Sequence, residues 1–159
     1  MDGAEAACPT CAVPLKATTM SAVPVRMCGQ CHGTLLAQLD MIRTLEAMSV
    51  ELLKTIDPDV HLDPVGKADG TVACPSCART MTRDDYCSAG VAHFDRCEPC
   101  RLLWLGADEL GTMAMMWARM ERRLERTQRA SQAAIDEADA LLRHTLLKSA
   151  ANRILGRLL

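Results

Sequence analysis

The chain has 159 residues, 49% of them apolar and 24% charged, with a formal net charge of −2. That balance is globular, enough for one ordinary domain or two very small ones. No apolar run approaches the roughly 18 residues that would span a bilayer, so a transmembrane segment is excluded. Aromatics make up only 3% of the chain, while ten methionines and nine cysteines are present.

The N-terminal "MDGAEAACPT" is acidic and lacks an apolar stretch. A signal peptide is therefore not expected, and the expected location is cytoplasmic. Thiols stay reduced there, so regularly spaced cysteines read as metal ligands before they read as disulfides. Eight of the nine fall into C-x-x-C pairs: Cys8 and Cys11, Cys28 and Cys31, Cys74 and Cys77, Cys97 and Cys100. Cys87 stands alone.

In chain order, residues 1–38 hold the first two pairs and form a first unit. Between the pairs, "AVPVRMC" (22–28) reads as a short strand with an edge proline. Residues 39–56 carry Leu39, Ile42, Leu45, Met48 (or Ser49) and Leu52 at three- and four-residue steps, the mark of an amphipathic helix. Residues 57–70, with two Asp-Pro steps and two glycines, predict a linker. Residues 71–106 repeat the first unit, with "GVAHFDRC" (90–97) as the strand before the last pair. From 107 to 159 a long or broken amphipathic helix is predicted. Leu110, Met113, Trp117, Met120 and Leu124 form its first apolar stripe, which fades through 127–132 and resumes at Ile135.

The duplication runs past the cysteines. Four positions after Cys31 comes "LL" (35–36), and four after Cys100 comes "WL" (104–105). Each unit thus carries four thiols, enough to wrap one ion in a closed tetrahedron, and soft thiolates in that geometry favour zinc, with iron as the alternative. Two Zn2+ per chain are expected. A unit of about 40 residues is near the lower limit for folding on hydrophobic burial, which makes a structural metal its natural support. A redox pair of thioredoxin type would need a βαβ surround that the pattern lacks.

These residues resemble the transcription-factor-IIB-type zinc ribbon family of small bacterial proteins, in two tandem copies. Its pattern runs C-P-x-C, a hairpin, C-x-x-C-x-G-x-W-L-D, then E-L. The second unit matches at Cys74, Pro75, Cys77, Asp95, Arg96, Cys97, Cys100, Trp104, Leu105, Glu109 and Leu110, and departs at Leu102 for Gly and Gly106 for Asp. The first unit keeps Cys8, Pro9, Cys11, Cys28, Cys31, Gly33 and Leu36, with Leu35 for the Trp and Ala37 for the Asp. The resemblance implies an α+β, metal-bound fold. It consists of two four-cysteine zinc ribbons, each a short hairpin with zinc knuckles followed by a helix, the C-terminal helix being the long one. Trp104 is expected to cover the second site and anchor the departing helix, with Leu35 in the same place in the first.

The charge is uneven. Residues 1–118 hold 9 basic and 15 acidic side chains, a net −6, and residues 119–159 hold 9 and 5, a net +4, consistent with the total of −2. Two zinc–tetrathiolate centres at −2 each make the first part still more acidic, which argues against ribbons that clamp phosphates. Arg119, Arg122, Arg123, Arg126 and Arg129 could contact nucleic acid, but Glu121 and Glu125 intersperse, and a solvated face is the simpler reading. Residues 141–159 are basic and amphipathic enough for membrane-surface contact, but packing on the protein's own core or a partner helix is the simpler reading. His32 and His93 read as surface residues or neighbours of the ligands. Met113, Met115, Met116 and Met120 read as core or an adaptable interface.

No nucleophile–base pair, carboxylate pair or phosphate loop is apparent, so an enzyme is not expected. The sequence points to a zinc-binding interaction or regulatory module, transcription-associated in its resemblance. Its partner would be a protein or a second copy, bound through the C-terminal helix by Met113, Trp117, Met120, Leu124, Arg122 and Arg126. The alternatives are a rubredoxin-like iron electron carrier and nucleic-acid binding through the basic helix.

Overall fold

The computed structural model describes residues 6–20, 22–65, 70–88 and 90–155, with side chains to 148. Residues 66–69 of the expected linker lie outside the described residues. So do 156–159, the last four of both the expected helix and the 141–159 segment. The chain divides into two units, Met1–Met120 and Glu121–Leu159.

In the first unit, strands β1 (Leu15–Met20) and β2 (Val23–Cys28) form an antiparallel hairpin between the first two cysteine pairs. Strand β3 (Thr34–Ala37) follows the second pair, and after a 3-10 turn at Gln38–Asp40 comes helix α1 (Met41–Thr55). The second repeat copies this order with β4 (Thr82–Asp85), β5 (His93–Cys97) and β6 (Leu102–Leu105), then helix α2 (Ala107–Leu155). The repeats are fused into one six-stranded sheet of order β1-β2-β3-β6-β5-β4.

The fusion lies between β3 and β6, which run antiparallel with Thr34 opposite Leu105, Leu35 opposite Trp104, Leu36 opposite Leu103 and Ala37 opposite Leu102. Leu35 and Trp104 are equivalent in the repeat, so the junction is symmetric about that pair. Both strands are covered on both faces, which is why "TLLA" and "LLWL" read as apolar runs without alternation. On one face Leu36, Leu103 and Leu105 meet Leu45 of α1 and Leu110, Met113 and Ala114 of α2. On the other, Leu35, Leu102 and Trp104 pack with the metal-site cysteines. Leu36, Leu45, Leu103 and Leu105 are fully buried, each worth about 2 kcal/mol of transfer from water.

Three expectations change here. Helix α1 starts at Met41, and Leu39 and Ile42 are exposed at 80% and 55%. Its buried residues are Thr44, Leu45 and Ser49, with Met41, Met48 and Leu52 packed beside them. The hydroxyls of Thr44 and Ser49 donate to the carbonyls of Asp40 and Glu46, so small polar side chains can take interior positions. Pro24 lies in an internal strand rather than an edge strand. It is tolerated because β3 pairs with β2 only at Arg26 and Met27, leaving β1 as the neighbour at Pro24. The first part of the expected linker is packed: Leu62 joins the core, Arg119 donates to the Val60 carbonyl, and the Val65 N–H donates to the Val91 carbonyl.

In α2, Leu110, Met113, Ala114, Met116 and Ala118 are buried, Trp117 is half-buried and Met120 is 44% exposed. Gly106 precedes the helix, and the Glu109 carboxylate accepts its N–H at 2.6 Å, a capping contact that satisfies a helix-start donor. The second unit consists of α2 from Glu121 on. Every described side chain from 126 to 148 is exposed. Along it Arg122 and Arg129 pair with Glu125, and Gln132 donates to Asp136, contacts of the three- and four-residue spacing that modestly support a helix. Among the described residues no helix is long and apolar enough to cross a membrane.

Candidate metal centres

Each cysteine pair sits in a tight knuckle. The residue after the second cysteine is left-handed in all four: Ala12 at φ 57°, His32 at 57°, Ala78 at 59° and Arg101 at 51°. This conformation is uncommon for residues with a side chain and costs of order 1 kcal/mol each, so something must hold it. The first cysteine of each pair organises the turn. Its N–H donates to the carbonyl five residues on at Cys8 (to Val13), Cys28 (to Gly33) and Cys74 (to Arg79). Its Sγ accepts backbone N–H groups in return, from Cys11 to Cys8 at 3.3 Å, from Gln30 and Cys31 to Cys28 at 3.4 and 3.5 Å, and from Ser76 to Cys74 at 3.4 Å. Those donors favour the thiolate.

The knuckles meet in pairs. Cys8, Cys11, Cys28 and Cys31 converge, as do Cys74, Cys77, Cys97 and Cys100, with all sulfurs of a quartet within 4.8 Å of one another. Cys8 and Cys31 Sγ are 3.6 Å apart, and so are those of Cys77 and Cys97. A tetrahedron with Zn–S bonds of about 2.3 Å has edges of about 3.8 Å, so the quartets fit zinc closely. Backbone donation, first from the Cys31 N–H, lowers the Cys28 thiol to about 6, and donation first from the Arg79 N–H lowers Cys77 to about 7. Burial pushes Cys97 up to about 12 and also raises Cys8 and Cys31. A bound divalent cation deprotonates coordinating thiols outright, so the quartets are acidic as a set only when metal-loaded.

Residues 7–47 match the family model described as a transcription factor zinc-finger, of the transcription-factor-IIB zinc ribbon type. The match is to a zinc ribbon. It spans the first quartet and the start of α1. The second quartet has no such match, and its likeness to the first is internal to the chain. No curated protein and no solved structure matches the chain. With two four-cysteine centres, one inside a zinc-ribbon match, the chain is a zinc-binding module holding two zinc ions.

The two centres share one buried cluster. Cys8, Cys28, Cys74 and Cys97 pack with Leu15, Leu35, Met81, Leu102 and Trp104. The ring of Trp104 lies over Gly33, so that a Cβ built on Gly33 would fall 2.3 Å from its Cζ2 atom. The sequence places Trp104 over its own site, leading into α2; in the structure it packs in the cluster with that site's Cys74 and Cys97 and also reaches across the β3–β6 junction onto the other ribbon's knuckle. His32 is exposed beside Cys31, and Cys87 is exposed in a left-handed turn outside both quartets. Of the partner-contact candidates, Met113 is buried in the core, Trp117 is partly packed against it, and Met120 and Leu124 are exposed. Arg122 pairs with Glu125, and Arg126 is exposed.

Sequence reasoning missed the polar interior of the second hairpin. Asp95 is 1% exposed and accepts a bidentate pair from Arg83 at 3.2 and 3.0 Å. His93, expected at the surface or beside the ligands, is 3% exposed, with Nε2 2.9 Å from Asp85. Register explains both, since Arg83 stands opposite Asp95 and Asp85 opposite His93. The alternation of His93, Asp95 and Cys97 was the available signal, since Cys97 had to face the metal and its face-mates had to follow. Nearby Glu109 is 6% exposed, and burial raises its carboxyl above the ordinary range. The first ribbon has Arg26 in the position equivalent to Asp95, so this polar patch belongs to the second repeat alone.

Proposed function

We propose that this chain is a non-enzymatic interaction module of the regulatory, transcription-associated kind, in which two structural zinc ions hold a platform and α2 makes the contact. The observation that carries this reading is the exposure of α2. Leu124, Ile135, Leu142 and Leu146 are 55% to 59% exposed, on a helix that starts in the zinc-held core at Leu110 and Met113. Apolar positions at helical spacing that stay in water form a surface for another chain. Closed four-cysteine sites support a structural role for the metal, since catalytic zinc keeps an open position. Cytoplasmic residence is part of the proposal, because free thiolates persist there. Phosphate binding is less well supported, since the acidic ribbons would repel it.

The test compares affinity purification of the full chain with that of a chain ending at residue 118, both carrying two zinc ions. The proposal expects partners retained by the first and lost by the second. Equal recovery from both would move the contact to the ribbons. A strong visible absorbance of the purified protein would favour iron electron transfer instead.

A further inference from the structure

A helix exposed on every side from 126 to 148 gains little from its own propensity, because most helix stability in water comes from packing. Two independent patterns along it fit the same occupant. The first is spacing. Leu124, Thr127, Ser131, Ile135 and Ala138 are separated by three, four, four and three residues, a series that reads the same in both directions from Ser131. The consecutive four-residue steps break the heptad, which straightens a helix pair locally, and the break falls at the centre of the series. Ala130, Ser131 and Ala134 are small there, so two backbones can approach closely.

The second pattern is charge. Residues 121–129 carry four arginines and two glutamates, a net +2, while Asp136, Glu137 and Asp139 give −3. A second helix crossing antiparallel at Ser131 sets each basic block against the other copy's acidic block. It also sets Leu124 against Ala138 and Thr127 against Ile135. A parallel copy in register would set like charge on like.

We propose that α2 docks a second copy of this chain, antiparallel and centred on Ser131, to form a two-fold symmetric dimer. This rests on the reading of α2 as the contact element and names its partner. Two-fold pairing is the commonest oligomer symmetry and needs one patch that complements itself, which both patterns supply.

The test is the mass of the full zinc-loaded chain by sedimentation equilibrium at low salt, where screening is weakest. The expected value is twice the chain mass of 17.3 kDa. Asp136→Lys, Glu137→Lys and Asp139→Lys together should weaken self-association by about tenfold or more, with zinc content and helical circular dichroism as checks of folding. Adding Arg122→Glu, Arg123→Glu and Arg126→Glu reverses both blocks. That chain should again self-associate, yet fail to exchange subunits with the wild type. A parallel dimer gives the opposite result, since the reversed chain would pair preferentially with wild type. A wild-type monomer at about 100 μM, a dimer indifferent to the three lysines, or preferred pairing of wild type with the reversed chain each overturns the proposal. A monomer that still loses a heterologous partner on truncation at 118 fails this proposal alone, whereas loss of neither partner nor mass fails both readings.

Discussion

Gly33→Ala is the sharpest probe of how the two ribbons are joined. The glycine is not left-handed, so alanine meets no backbone strain there, only the Trp104 ring and, at 3.1 Å, the Leu105 carbonyl oxygen. Its Cβ would sit 2.3 Å from Cζ2 and 2.7 Å from Cη2, against about 3.4 to 4 Å for ordinary contact. The ring must move by more than 1 Å in a cluster that also holds Leu35, Leu102 and four cysteines. Overpacking of this kind costs about 1–3 kcal/mol, and the loss of unfolded-chain freedom on replacing glycine returns about 0.4–1 kcal/mol. The net expectation is a loss of about 1–1.5 kcal/mol, a fall in Tm of about 5 °C for a unit of this size. Trp104→Leu alone leaves a void and should cost at least as much. In the double variant the clash with the ring is gone and only the milder Leu105 contact remains, so the two costs should fall short of additivity by about 1–2 kcal/mol. The assay is thermal unfolding at fixed free zinc, with metal content measured for each variant. Strict additivity, or a Gly33→Ala protein as stable as wild type, would refute the placement of the ring.

Competition with a strong chelator should unfold both ribbons and release two zinc ions, since each tetrathiolate site supplies on the order of 10 kcal/mol of folding energy. Cys77 is the one exposed ligand of the eight, so the second site should yield first. Alkylation followed by mass spectrometry should label Cys74, Cys77, Cys97 and Cys100 ahead of the first quartet, and the reverse order would contradict this. Arg83→Ala should cost about 3 kcal/mol by stripping the bidentate partner from a buried carboxylate. Asp95→Ala should cost less, because Arg83 is a quarter exposed and reaches water; equal losses in urea melts would count against that asymmetry. Burial raises the Glu109 carboxyl, so its protonated form supports the fold below the ordinary carboxylate range and that support is lost as pH rises through the raised value. Glu109→Gln keeps an acceptor for the Gly106 N–H without the buried charge, so it should flatten this slope, match wild type at low pH and exceed it at pH 7. Glu109→Ala loses the cap and about 1 kcal/mol; a glutamine variant as unstable as the alanine one would count against this account.

The metal quartets were legible because thiolate spacing is local chemistry: two residues between cysteines dictate a knuckle wherever the knuckle ends up. The hairpins were legible from alternation between the pairs. The β3–β6 pairing was not, because "TLLA" and "LLWL" are buried on both faces and such runs carry no mark of their neighbour. That pairing also explains a departure visible from the start. Leu102 stands in the repeat that has Trp104, where the other repeat, which has Leu35, carries Gly33. The large side chain of one ribbon lies over the glycine of the other, so these residues make sense only as a cross-junction set. In α1 the stripe misled at Leu39 and Ile42, since Thr44 could satisfy its hydroxyl within the helix and take an interior place, while Leu45 and the alternative Ser49 are buried. At His93 the sequence left open a place beside the ligands or at the surface, and for Asp95 it named only a strand face; partners directly across the strand allowed both to be buried.

The β3–β6 junction also bears on why the unit exists in duplicate. A lone ribbon would end its sheet in a third strand that is almost wholly apolar, an open row of backbone donors and acceptors inviting any passing chain to add itself. Here each repeat stops the other's, and the strands left at the outside, β1 and β4, carry Lys16, Thr18, Arg83, Asp84 and Asp85 instead. Doubling the ribbon thus removes an aggregation template without adding any protective segment. Either half expressed alone would regain that template, and should precipitate or pair with itself even with its zinc in place.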